Sequence, residues 1–118
     1  MRNEAMLVLF FFKNRLLFDK IWTDTPNQFR LYQNHPNPFN PITTFKYDLL
    51  EGSFADIIIY DMLGNIIKNL VNKNQNSGSN SVQWDATNNQ GETVSAGVYL
   101  YKIQAGDFSQ TKKMILLK

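Results

Sequence analysis

An all-β fold, a seven-stranded immunoglobulin-like β-sandwich, is predicted for residues 29–118 by three observations. Short runs of period-two alternation recur from Phe29 to the C-terminus. Clusters of Gly, Asn, Pro and Ser separate them every 8–12 residues or so, the rhythm of a sandwich rather than of helices joined by loops. The 118 residues are 43% hydrophobic and 14% aromatic, enough for the packed core of one domain.

The elements follow in order. Phe29–Gln33 reads as a short first strand. Ile42–Leu49 sets Phe45, Tyr47 and Leu49 on one face, with Lys46 and Asp48 on the other. Phe54–Asp61 does the same with Ala55, Ile57 and Ile59, and Ile66–Val71 returns as the second arm of a hairpin. Between them lies Met62-Leu63-Gly64-Asn65, where Gly64 supplies the positive φ of a tight turn. Lys73–Asn80 is expected to be a polar loop, because it offers nothing to bury. Ser81–Asp85 puts Val82 and Trp84 on one face, and Gly97–Ala105 alternates Tyr99, Tyr101 and Ile103 against Val98, Leu100 and Lys102. Ala105-Gly106-Asp107 turns the chain, and Phe108–Leu117 closes the sandwich. The expected core is Phe45, Tyr47, Ile57, Ile59, Val82, Trp84, Tyr99, Tyr101 and Met114.

Residues 1–28 read as a different text. Their longest apolar run, Met6–Phe12, has seven residues, against about 20 for a membrane-spanning helix. Glu4 in the leader and the lack of a small-x-small site fit a signal peptide poorly. Leu7, Phe10, Phe11, Phe18 and Ile21 fall roughly on one helical face, so a short amphipathic helix competes with a start-of-frame remnant.

Composition excludes much chemistry. Without cysteine there are no disulfides, thiolate nucleophiles or thiolate zinc sites, and the single histidine, His35, excludes a multi-His metal site. A net charge of +2 is too small to suggest a nucleic-acid partner. His35 precedes Pro36 with no acid or serine pattern to make it a base, and neither Asp56 with Asp61 nor Asp85 with Glu92 is spaced as a sugar-cleaving pair. The glycines are isolated turn residues and form no phosphate loop. No catalytic residue, cofactor or metal is expected, and the chain is not expected to be an enzyme.

Three stretches ask for more than packing. Asn34–Pro41 carries prolines at 36, 38 and 41, which favour a stiff, extended, polyproline-like crossing between sheets anchored by Phe39. The competing reading is a docking ligand for an aromatic groove. Trp84–Glu92 has oxygen ligands at some positions of a calcium loop, but counted from Asp85, Thr87 stands third, Gln90 replaces the sharp-turn glycine at the sixth, and Ala96 stands twelfth. Asp and Asn bonding their own backbone explain the same letters. Thr111–Lys118 is basic, apolar, then basic again; lysines on a strand protect a sheet edge, and a recognition tail is the alternative.

Five blocks, taken in order, carry a resemblance: Leu31–Pro41, Ile59–Gly64, Val82–Asp85, Ser95–Tyr101 and Lys113–Lys118. Together they resemble the type A C-terminal sorting domain of the type IX (Por) secretion system, which is related in fold to the immunoglobulin-like domain of flagellar hook-capping proteins. The resemblance implies a secretion signal that directs a passenger across the outer membrane, in many members followed by cleavage and surface attachment. It implies as partners the outer-membrane translocon and a sortase-like peptidase. It also implies a monomer that passes through the periplasm to the cell surface or beyond. Recognition residues carried over from the family's motifs are Pro36, Asn37, Pro38, Gly97, Tyr99, Lys112, Lys113, Met114, Leu116 and Lys118. On this basis a recognition tail overtakes edge protection as the reading of the last strand. The departures are His35 where an aromatic is more usual, Ala86 where glycine is usual, and the lack of a passenger and a clear signal peptide, which suggests a fragment. The reading from the other class is an immunoglobulin-like module that binds glycan or protein.

Overall fold

Alternation of apolar and polar residues closes this chain into two facing sheets. The computed structural model describes residues 28–117; the segment before them, with its expected amphipathic helix, and Lys118 lie outside the described residues. Seven strands follow: β1 (Arg30–Leu31), β2 (Thr43–Leu49), β3 (Ser53–Asp61), β4 (Ile66–Gln75), β5 (Gly78–Trp84), β6 (Gly97–Ala105) and β7 (Phe108–Leu116). A three-stranded sheet has the order β1-β2-β5 and a four-stranded sheet the order β4-β3-β6-β7, every pairing antiparallel. Among the described residues no helix is long and apolar enough to cross a membrane.

The alternating residues meet between the sheets. Phe45, Tyr47 and Leu49 of β2 face Ala55, Ile57 and Ile59 of β3 and Tyr99, Tyr101 and Ile103 of β6, all buried. Aromatic rings organise the centre: Phe45 and Tyr101 lie 4.6 Å apart, and Trp84 meets Tyr99 edge-on at 5.7 Å. Such tilted pairs add roughly 0.5–1.5 kcal/mol each beyond the area they bury. Eight of the nine expected core residues are buried; Val82 is only partly so. It sits on the edge strand β5, where Leu70 and Val71 of β4 and Val82 line the open side of the sandwich together.

Two expectations need correction. Residues 73–80 are not a loop: β4 runs to Gln75 and β5 starts at Gly78. The ladder continues because β3 supplies a backbone partner at every step, from Ala55 opposite Lys73 to Ser53 opposite Gln75. Polar side chains cost nothing there, since Asn72, Lys73 and Asn74 are exposed. The first strand is also shorter than Phe29–Gln33: its ladder on β2 pairs only Arg30 and Leu31, and just past the expected end the Asn34 backbone N–H goes to the Tyr101 hydroxyl.

Candidate functional site

The proline-rich segment and the last strand, remote in sequence, form one surface. Its keystone is a buried polar cluster whose pairing periodicity cannot reveal. Asn34 is 2% exposed and Thr43 is wholly buried. The Asn34 side-chain amide donates to the Thr43 hydroxyl at 2.9 Å and to the Pro36 carbonyl at 3.2 Å, and Thr43 donates to the same carbonyl at 2.8 Å. Gln33 donates to Asn34 Oδ1 at 2.7 Å, and the Asn34 backbone N–H donates to the Tyr101 hydroxyl at 2.9 Å. The Tyr101 hydroxyl in turn donates to the Tyr32 carbonyl at 3.1 Å, and burial pushes its pKa up to about 12. The side-chain polar groups of Asn34, Thr43 and Tyr101 are all partnered, as burial requires.

This cluster corrects the expected polyproline geometry. Residues 36–38 are bends, because Asn34 and Thr43 both draw the Pro36 carbonyl inward. The X–Pro bonds at 36, 38 and 41 are cis. Phe39 then enters the core at 1% exposure and packs on Trp84, 5.8 Å away. The anchor role expected of Phe39 is therefore seen, in a folded rather than an extended segment.

Having turned inward, the crossing lies along the free edge of β7. The Phe39 N–H donates to the Ile115 carbonyl at 3.0 Å, and the Leu117 N–H donates to the Phe39 carbonyl at 2.8 Å. Asn37 Oδ1 accepts the Ile115 N–H at 2.9 Å, and Gln33 Nε2 donates to the Lys113 carbonyl at 2.9 Å. An edge strand would otherwise present these groups to any extended chain.

The recognition residues read from sequence separate by exposure. Pro36, Asn37, Pro38 and Lys113 are exposed and stand together at this end of β7. Tyr99, Met114 and Leu116 are buried, and Tyr99 donates to the Ser95 carbonyl at 2.6 Å, so they hold the strand in place from inside. Gly97 faces Leu116 at the start of β6 with φ +155°; a Cβ there would meet nothing within 4 Å, so the constraint is conformational, not steric. Lys112 and Lys113 point to opposite faces: Lys112 is half-buried on the Met114 side and Lys113 is exposed. Alternation along a strand makes two adjacent lysines a poor patch. Lys118 lies outside the described residues.

The β3–β4 turn completes the surface. Asp61 Oδ1 accepts the Leu63 and Asn65 N–H groups, both at 2.9 Å, and Gly64 takes φ +89°. Hydrogen bonds from Asn65 and from the turn backbone hold the Asp61 carboxyl below the ordinary range. The turn lifts Met62 beside Val98, Ile115, Lys113 and Asn37 around a shallow groove of about 270 Å³.

The side-chain oxygens of Asp85 and Asn88 serve the 85–92 stretch itself. Asn88 Oδ1 accepts the Gln90 and Glu92 N–H groups at 2.9 and 3.0 Å, and Asp85 accepts the Thr87 hydroxyl at 2.6 Å. The local turn read from its letters is what forms. Among the described residues no three His, Cys, Asp or Glu side chains gather as a metal site. Ala86, where the resemblance expects glycine, is buried with φ +65°, a left-handed conformation that costs a non-glycine residue roughly 1 kcal/mol or more. His35 is exposed and pairs with Thr44 through its backbone only.

Comparison with known proteins agrees with this architecture. A region of dimeric latent PorU from Porphyromonas gingivalis superposes with a TM-score of 0.61 at 22% identity, covering 72% of this chain and 9% of that one. PorZ, an essential surface component of the type IX secretion system of Porphyromonas gingivalis, gives 0.51 at 18% identity, covering 78% and 12%. FlgD from P. aeruginosa gives 0.51 at 20% identity, covering 64% of each chain. The chain thus spans about a tenth of the length of the two Por proteins, and identities this low show a shared fold alone. No curated protein matches the chain. Residues 42–108, more than half of it, match the FlgD Ig-like domain, a stretch that begins beside β2 and ends where β7 starts. By that match the chain belongs to the FlgD Ig-like domain family.

Proposed function

We propose that this domain is a sorting label of the type IX secretion system and not a catalyst. On this reading it directs a passenger across the outer membrane, passing through the periplasm to the cell surface or beyond. It is read by the translocon and, where cleavage follows, by a sortase-like peptidase. One observation carries the reading. Asn37 and Lys113, from two blocks of the sorting-domain resemblance, stand side by side on one exposed surface although 76 residues of sequence separate them. Both blocks lie outside the stretch matched by the FlgD family, so the family membership itself does not explain them. The fold shared with PorU and with PorZ, a surface component of that system, supports the assignment. A monomer suffices for such a label.

The test is a reporter placed behind a signal peptide and ahead of the full chain, in a host with a type IX system. The reporter is expected outside the cell with the chain attached and in the periplasm without it. A hydrophilic extension after Lys118 is expected to stop export while leaving the fold intact. Export that ignores both changes would instead make this an immunoglobulin-like binding module.

A further inference from the structure

We infer that the groove between the 61–65 turn and the end of β7 docks an extended, apolar segment of a partner protein that carries a carboxylate. The inference deepens the sorting reading and rests on it only for placing the partner in the export machinery. Three observations carry it.

A receptor that reads the last strand would ordinarily add a strand to its edge. Here that edge is occupied: Asn37 takes the Ile115 N–H, and Phe39 takes the Ile115 carbonyl and the Leu117 N–H. The outward face beside it is open. Met62 is 58% and Ile115 41% exposed, and with Val98 they line an apolar hollow of about 270 Å³. Apolar side chains grouped in a concavity are the usual mark of a contact site.

Charge selects the ligand. Lys113 is the one charged side chain lining the groove, and among the described residues no carboxylate lines it. A carboxylate on the incoming segment answers that lysine, and apolar neighbours that displace water strengthen the pairing. A second copy of the chain would bring only the same unanswered lysine to a two-fold contact.

Two measurements on the full chain test this separately from the sorting reading. In the export assay, Lys113→Glu and Met62→Ser are each expected to cut surface delivery at least ~10-fold, whereas Lys46→Glu, exposed on the other sheet, leaves it unchanged. Melting curves that match the parent show that the fold is kept. Normal export by both groove variants overturns the groove and leaves the sorting label standing. If the parent chain itself is not exported, the sorting reading fails, and the second measurement decides the groove.

That measurement is an amide-shift titration with two capped peptides, Val-Leu-Glu-Leu-Val and Val-Leu-Lys-Leu-Val. Saturable shifts at Val98, Lys113 and Ile115 are expected with the glutamate peptide, at least ~10-fold weaker with the lysine peptide and lost in Lys113→Glu. Equal shifts with both peptides, or none, overturn the inference. So do shifts at these amides on dilution, which would make a second copy the occupant, and contacts to them from Met6–Phe12, which would make it the chain's own apolar run.

Discussion

Both edges of the four-stranded sheet are covered by irregular segments, and the two coverings are built differently. At β7 the crossing lays its own backbone along the strand, held by Phe39 in the core and by the buried Asn34–Thr43 pair. Its bonds join residues close to 80 positions apart. At β4 the covering is one residue: the Asn89 N–H donates to the Ile67 carbonyl, and Asn89 Oδ1 accepts the Asn69 N–H, both at 3.0 Å. The loop that presents Asn89 is held by Asn88 through bonds to residues two and four positions on. One cover is remote and anchored in the core, the other local and exposed. Remote covers depend on the global fold, and local ones persist on their own chemistry.

The largest perturbation should loosen both covers together. Trp84 packs on Phe39 of the crossing, and its indole N–H donates to the Thr87 carbonyl of the other loop at 2.8 Å. Trp84→Ala is expected to cost ~3–5 kcal/mol in a denaturant melt. A loss under ~1 kcal/mol would put the shared anchor elsewhere and break the comparison.

Alkali should reach the crossing before the Asn88 loop. Tyr101 ionises at about 12 instead of the ordinary 10.0, because burial disfavours its anion. A raised pKa gives stability that is complete below pH 10 and lost as pH rises through 12, a loss of roughly 3 kcal/mol. Unfolding curves between those pH values should show the decline, and Tyr101→Phe should flatten it. A decline of equal size in the variant would assign it to other groups.

Asn34→Ala sharpens the contrast. It strips partners from Thr43, Pro36 and the Gln33 amide at once. The expected cost is ~2–3 kcal/mol, with faster hydrogen exchange at Ile115 and Leu117 but not at Asn69. The mirror change, Asn88→Ala, is expected to cost only ~1 kcal/mol and to release Asn69 while Ile115 stays protected. Exchange that rises at both edges in either variant would mean that the covers are one cooperative unit.

What was legible in the sequence follows the same division. Strand faces such as Ala55-Ile57-Ile59 and Tyr99-Tyr101-Ile103 repeat every second residue, so alternation alone assigns them to the core. The Asn88 turn was legible for a similar reason, since its donor and acceptor are near neighbours. The extension of β4 through Asn72–Gln75 was not, because its side chains are polar and only the backbone of β3 makes it a strand. Thr43 falls on the Phe45 face of the strand read over Ile42–Leu49, but Asn34 reads as an ordinary letter of the proline-rich crossing, and nothing local marks the two as partners.

The amino-acid sequence by itself determined the two-sheet sandwich, its apolar faces, Phe39 as an anchor and the local turns. Each of these depends on periodicity, side-chain size or bonds within a few residues. Only the tertiary structure decided that Asn37 and Phe39 occupy the edge of β7, that Lys112 and Lys113 part to opposite faces, and that Met62 joins Ile115 around one groove. Those arrangements depend on which backbone groups are left unpaired once the sheets have closed, and that is a property of the whole fold, written in no single stretch of residues.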